Sequence, residues 1–315
     1  MCIRDSNLIA HVEREGVVAV TGGLSALARA VADLARSLGV EIRKSCAVRD
    51  IVVHEGRASG VVVEHADGAR EAIGASAVVV NADVATVASG AFGARASEAV
   101  PKPRRERRSL SALTWAISGR VSGFELEHHN VFFSRDYQAE HRALFDRRAL
   151  PDDPTIYVCA QDRSPEAKPR KGEAGIMDDE RLFVIANAPA DGSALSSKEI
   201  DRCERMILAR LAKAGLELAP TATVVSSPST FERLAPGTGG AIYGEVCHGA
   251  FAPLSRPSAR TKLRGLYLTG GSVHPGPGVP MATLSGRSAA SAVTQDLAST
   301  SLSQQAAIAG SISTP

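Results

Sequence analysis

Residues 266–281 read Leu266-Tyr267-Leu268-Thr269-Gly270-Gly271-Ser272-Val273-His274-Pro275-Gly276-Pro277-Gly278-Val279-Pro280-Met281. A short apolar strand at 265–269 runs into a glycine-rich loop, 270–278, and then into a helix expected over 280–297 that opens with a proline. Glycines at 270, 271, 276 and 278 let backbone approach a ligand closely, and a proline at a helix start gives up only an amide that the helix leaves unused. The other amides of such a first turn point outward along the positive end of the helix dipole, which suits an electron-rich group. The same pattern also serves an ordinary strand–turn–helix joint, and on these residues alone the two readings stand level.

Upstream, Gly22-Gly23 form a turn, and Leu24, Leu27, Ala28, Val31, Leu34, Ala35 and Leu38 then repeat at spacings of three and four up to Gly39. That is one apolar helix face with a glycine at its C-terminal end. Strands expected at 40–43, 48–53, 58–64 and 70–73, with turns at Glu55-Gly56 and Asp67-Gly68, form a small antiparallel meander. The apolar run 77–80 predicts a strand buried on both faces, followed by an Asn81-Ala82-Asp83 turn. At 101–108 the composition shifts: Lys102, Arg104, Arg105, Arg107 and Arg108 stand against Glu106 alone, a solvated face or a patch for anionic headgroups. Strands at 110–117, 130–133, 155–160 and 181–187 and a helix at about 197–214 follow, with a mobile polar loop expected at 162–180. The tail, 298–315, is Ser, Ala, Gln and Thr and is expected to be disordered.

The 315 residues suffice for two domains, and 44% hydrophobic with 22% charged residues excludes disordered and fibrous classes. A balance of 36 Lys and Arg against 34 Asp and Glu, net +2, excludes general electrostatic capture of nucleic acid. Five cysteines, Cys2, Cys46, Cys159, Cys203 and Cys247, are scattered without a C-x-x-C pair, which fits a reducing compartment. His128-His129 has no thiolate or carboxylate at a ligand spacing, so no metal site is expected, and no Ser-His-Asp or Cys-His arrangement stands out. No run approaches the roughly 18 residues that read as a membrane span. The expected location is cytoplasmic, soluble or peripheral. Residues 1–6 match neither helix, strand nor targeting peptide, which predicts a truncated N-terminus.

The loop at 270–281 resembles the C-terminal FAD motif of the phytoene-desaturase-type carotenoid desaturases, in which a glycine-containing strand end and an H-P-G-x-G-x-P turn pack against the flavin. Gly22-Gly23-Leu24 and Asn81-Ala82-Asp83 are similar to further segments of that family. His128-His129-Asn130-Val131-Phe132-Phe133-Ser134, Tyr157-Val158-Cys159-Ala160-Gln161-Asp162-Arg163, Asn187-Ala188-Pro189-Ala190 and Pro236-Gly237-Thr238-Gly239-Gly240-Ala241-Ile242-Tyr243-Gly244 resemble its hydroxyneurosporene or methoxyneurosporene desaturase branch. The resemblance covers most of residues 16–297. The family also begins with a strand and a G-x-G-x-x-G turn, and no such motif occurs in this sequence.

The resemblance implies an α/β fold: a Rossmann-like FAD-binding domain, incomplete at its N-terminus, from 7–100 and 255–297, and an α+β substrate-binding domain at 101–254. It implies desaturation of a carotenoid, hydride leaving for flavin N5 and a proton leaving the neighbouring carbon. Cofactor contacts would come from Val48 on the adenine side, Asn81, Ala82, Gly270, Gly271, Ser272, Gly278, Val279, Pro280 and Met281. The Val279 and Met281 amides would face the N1 and C2 carbonyl edge of the flavin. His274 would either take up a proton or serve as a turn residue. Trp115, Phe132, Phe133 and Tyr243 are candidates for an apolar tunnel, and equally for plain core. A membrane surface would present the substrate. Two other readings stay open: another flavoprotein of the amine-oxidase-like superfamily (phytoene desaturase, carotenoid isomerase or amine oxidase), or an inactive fragment.

Overall fold

The structure is a computed structural model that describes residues 13, 14, 16, 18, 20–163, 179–191, 195–246 and 256–311, the stretch 301–311 through its backbone alone. Most of the expected polar loop at 162–180 lies outside the described residues. In chain order the elements are α1 (Leu24–Ser37), β1 (Cys46–His54), β2 (Arg57–His65), β3 (Arg70–Gly74), β4 (Val78–Val80), α2 (Val84–Ala88), α3 (Ala94–Glu98), β5 (Ser111–Gly123), β6 (His129–Phe132), α4 (Tyr137–Phe145), β7 (Ile156–Ala160), β8 (Glu180–Ala188), α5 (Ser197–Lys213), β9 (Leu216–Ser226), α6 (Pro228–Leu234), β10 (Leu266–Leu268) and α7 (Val279–Ser311). They sort into two compact units, one of Met1–Ala82, Gly90–Pro101 and Cys247–Pro315, the other of Asp83–Ser89 and Lys102–Val246.

In the first unit, α1 ends as its sequence dictates: Gly39 takes φ 86, and the Val40 amide donates back to Ala35 O at 3.0 Å. Its apolar stripe is uncovered, with Leu24 65%, Val31 59% and Leu34 60% exposed. β1, β2 and β3 form the meander, in that order. The turn residues Glu55 (φ 49) and Gly56 (φ 72) both have positive φ, the two-residue geometry that matches strand twist. Residues 40–43, expected as a further strand, lie outside the ladder, because Ser45 at φ 54 breaks the extended run before β1. β4 pairs in parallel with β10 in a two-stranded sheet. It was expected to be buried on both faces, yet Val79 is 46% exposed, because only one partner strand adjoins it. α7 continues to Ser311, beyond the expected end at 297 and through most of the tail expected to be disordered. The run beyond 297 holds no proline before Pro315 and several alanines and glutamines, good helix formers, so nothing stops the helix.

In the second unit a five-stranded antiparallel sheet, ordered β6-β7-β8-β5-β9, carries α5 on one face. Alternation is clean along β7 and β8, where every second residue is buried. Leu113, Trp115, Ile117, Ile156, Val158, Leu182 and Val184 meet Cys203, Ile207 and Leu211 of α5 in the core. Ser196 and Glu199 close a reciprocal capping box at the start of α5, and these hydrogen bonds hold the Glu199 carboxyl below its ordinary range. β9 was not expected, since Pro220 interrupts it and most of its residues are exposed. It is an edge strand, and Pro220 faces Gly119 where the register slips.

Candidate functional site

Parallel pairing sets Leu266 beside Val78 and Leu268 beside Val80, so both strands finish at one end of their sheet. There the loop beginning at Thr269 meets Asn81-Ala82. Thr269 N–H donates to Val80 O at 3.0 Å, and Gly270 N–H donates to Ser285 Oγ at 3.2 Å, which ties the loop to α7. Gly270 takes φ 109, and a Cβ there would stand 2.5 Å from Asn81 Oδ1, so glycine alone fits. Asn81 is exposed and Ala82 half-buried.

Further along, Gly271 and Ser272 are half-buried and Val273 is fully buried, its amide donating to Gly270 O at 3.2 Å. His274 N–H donates to Pro257 O at 2.9 Å while its side chain is exposed. Beneath the loop lies Arg256, 8% exposed, whose Nη1 donates to Gly271 O at 3.0 Å and whose Nε would stand 3.3 Å from a Cβ on Gly276. Gly278 is different in kind: at φ 107, a Cβ there would meet nothing within 4 Å. α7 begins at the next residue, and its first intrahelical bond runs from Ala282 N–H to Gly278 O at 2.8 Å. The amides of Val279 and Met281 therefore lie ahead of the bonded ladder, and Pro280 has none. An open glycine backbone, two helix-start amides ahead of the bonded ladder and a buried guanidinium together suit a flat, electron-rich ring that gains negative charge on reduction, so the residues present fit a flavin.

Two residues of this joint escaped the sequence reading. Arg256 lies two residues past the end of the expected substrate-binding domain at 254, where no motif marked it. Ser285 shares a helix face with Ala289 and Ala292, all three buried, and that stripe of small residues at spacings of four and three was the available signal. A third support lies at the far side of β10, where Asp296 of α7 accepts from Tyr267 Oη at 2.9 Å and pairs with Arg260 at 3.0 Å. The Arg260 bond and then the Tyr267 bond hold the Asp296 carboxyl below its ordinary range. Burial first, then the bond to Asp296, pushes the Tyr267 phenol up. Val48 stands apart from the joint on β1, opposite Val63 and 36% exposed.

The aromatic candidates divide. Trp115 is 2% exposed within the core, and among the described residues its indole nitrogen has no hydrogen-bond partner. Phe132 packs against the edge of that core and tilts on Phe124 with ring centroids 5.4 Å apart. Phe133 and Tyr243 are exposed, at 74% and 48%. The basic segment is partly engaged: Arg105 pairs with Asp191 at 3.0 Å, Arg107 with Glu245 at 3.5 Å, and Arg108 donates to Gly237 O at 2.8 Å. No helix among the described residues is long and apolar enough to cross a membrane. The histidine pair, for which the sequence offered no thiolate at a ligand spacing, gains one across strands: β6 and β7 pair His129 directly with Cys159.

A family model for flavin containing amine oxidoreductases matches residues 5–294. The chain is 46% identical over 313 residues to a hydroxyneurosporene desaturase of Rubrivivax gelatinosus, an alignment covering 98% of this chain and 57% of that protein. It is 42% identical to a hydroxyneurosporene desaturase of Cereibacter sphaeroides, covering 93% of this chain and again 57% of the relative. The chain thus spans little more than half the length of these relatives. Among solved structures, an oxidoreductase from Methanosarcina mazei aligns at TM-score 0.50 and 16% identity, over 84% of this chain and 53% of that one, which shows a shared fold. Since the family model runs through both units and takes in the loop joint between β10 and α7, the chain belongs to the flavin containing amine oxidoreductases.

Proposed function

We propose that this chain is the larger part of an FAD-dependent desaturase that removes hydride and a proton from a carotenoid such as hydroxyneurosporene or methoxyneurosporene. The observation that carries this reading is the 46% identity to a hydroxyneurosporene desaturase along nearly the whole chain, both units included. FAD supplies the hydride acceptor. Gly270, Gly271 and Ser272 bring backbone close to the flavin from β10, Asn81 and Ala82 from β4, and Val48 serves the adenine side. Gly278, Val279, Pro280 and Met281 present the helix start, whose amides stabilise negative charge where it gathers on reduction. His274, with its exposed ring beside this loop, takes up the proton. Phe133 and Tyr243 offer exposed aromatic faces to a polyene, while Trp115 and Phe132 support the sheet from within.

The FAD-binding part comprises 7–100 and 255–297 and the substrate part 101–254, joined in the whole enzyme to an upstream dinucleotide-binding segment. The enzyme is cytoplasmic and meets its lipid-soluble substrate at the bilayer surface. Lys102 and Arg104, both exposed, are the cations of the basic segment suited to anionic headgroups.

The test is a chimera that joins the upstream part of the Rubrivivax gelatinosus relative to this chain, expressed in cells that accumulate hydroxyneurosporene. A product with one more conjugated double bond, absorbing at longer wavelength, is expected. A chimera that is yellow with flavin yet leaves the carotenoid unchanged overturns the substrate, and one that binds no flavin overturns the flavin loop.

A further inference from the structure

The edge of the five-stranded sheet carries a group of side chains that flavin chemistry does not use. His129 and Cys159 are direct cross-strand partners on β6 and β7, so their side chains leave the same face of the sheet. On β7 that is the face turned away from the core, since Ile156, Val158 and Ala160 are buried and Tyr157 and Cys159 are half-buried. His128 precedes the first residue of β6 and so escapes strand alternation. Its ring lies edge-on to that of His129, with centroids 4.4 Å apart, and its Nε2 is 3.8 Å from Cys159 Sγ. One ring nitrogen from each histidine and the Cys159 sulfur lie within 4.8 Å of one another.

Hydrogen bonding alone leaves this group unfinished. Among the described residues, His128 Nδ1 is buried without a hydrogen-bond partner. Its other nitrogen, Nε2, faces the Cys159 sulfur at 3.8 Å and is the one placed to coordinate an ion. A tetrahedral zinc ion, with Zn–S about 2.3 Å and Zn–N about 2.0 Å, holds sulfur and nitrogen about 3.5 Å apart, so small shifts bring these atoms to coordination distance. Two imidazoles and a thiolate are the donor set that borderline and soft divalent ions take, whereas magnesium and calcium require oxygen. The Tyr157 hydroxyl, 2.7 Å from His129 Nδ1, orients that ring in the way outer partners of metal-bound histidines do.

We propose that His128, His129 and Cys159 bind one zinc ion at the outer face of the β6–β7 edge, with a fourth position open to water. Binding displaces the thiol proton of Cys159 to solvent, and the thiolate, the two neutral imidazoles and a water complete the shell. Because His129 is exposed, the ion enters directly from solvent. β6 is an edge strand held by β7 alone, so an ion bonded to both strands pins β6 to β7.

A second cysteine–histidine pair serves as the internal control. On the meander, Cys46 Sγ is 3.8 Å from His65 Nδ1, but the other nitrogen of His65 is taken by Glu71 Oε2 at 3.1 Å. Among the described residues, the group around Cys159 is the one that offers three ligand atoms together.

The experiment uses the full chain, stripped with chelator and titrated with Co2+ as a spectroscopic stand-in and then with Zn2+. Expected are a near-ultraviolet sulfur-to-cobalt charge-transfer band saturating at one ion per chain, its loss on adding Zn2+, its absence in Cys159→Ser and its persistence in Cys46→Ser. Tyr157→Phe should weaken binding roughly tenfold or more. A parent chain without the band, or a band unchanged in Cys159→Ser, overturns the site. Should Cys159→Ser fail to fold, the unaltered chain still decides: Zn2+ should slow alkylation of Cys159, mapped by mass spectrometry, and leave Cys46 unaffected. Equal alkylation of Cys159 with and without the ion overturns the proposal.

Discussion

Gly270 and Gly278 belong to one loop but answer to different constraints. At Gly278 the space for a side chain is empty and only the backbone, at φ 107, resists one. Gly278→Val should therefore cost about 1–3 kcal/mol of local strain and place a side chain in that open space. In the chimera described above, flavin absorbance per protein should fall steeply with the circular dichroism preserved, and full flavin occupancy would remove the loop from the cofactor site. At Gly270 a new Cβ collides with Asn81 Oδ1 at 2.5 Å, so Gly270→Ala should lower the melting temperature of the chain with no flavin present. Asp296 gives a pH-dependent case. Its carboxyl sits below its ordinary 3.8 when folded, through Arg260 and Tyr267, so the stability it contributes is present above pH 3.8 and disappears as pH falls through the lower folded value. Asp296→Asn should melt earlier than the parent at pH 6, and the two melting curves should converge in acid. A gap that is constant with pH would show that charge is not the cause.

Among the elements, α5 does most to hold the sheet of the second unit, and its fully buried Leu211 is the place to test this. Leu211→Ala should cost about 2–5 kcal/mol by emptying core volume, read by denaturant unfolding. Trp115, the only tryptophan and a core neighbour, confines the fluorescence signal to this unit. α5 was legible because its capping signal and its apolar spacing agree, and the same holds for α1 and the hairpin turns at Glu55-Gly56 and Asp67-Gly68. Elements whose signals conflict were not legible. β9 carries a proline and an exposed face, both of which argue against a strand, and its partner β5 overrides them through ladder bonds. The end of α7 was misplaced because low hydrophobicity was read as disorder, although helix propensity needs no apolar face. At the site, the glycines and Pro280 were visible as local chemistry. Arg256 and Ser285 were not, since a buried guanidinium under a loop and a serine tying strand to helix depend on contacts between distant segments. Cys159 was hidden for the same reason: strand register, not spacing along the chain, brings it to His129.

For the whole molecule, a net charge of +2 offers little mutual repulsion, while α1 shows a bare apolar stripe. Leu27→Gln, Val31→Gln and Leu34→Gln together should leave the helical signal intact, because glutamine is a good helix former. They should also reduce binding of a hydrophobic dye and raise solubility, and an unchanged dye signal would place the sticky surface elsewhere. The parallel pairing of β4 with β10 has a consequence for the order of events in synthesis. Val78 and Leu266 are partners separated by roughly 190 residues, a loop whose closure entropy must be met before the pair forms. Translation at about 5–20 residues per second leaves β4 without its partner for on the order of ten to forty seconds. During that interval the whole second unit emerges and can fold by itself. The loop between β10 and α7, which needs both strands in place, is thus among the last features of the chain to take shape.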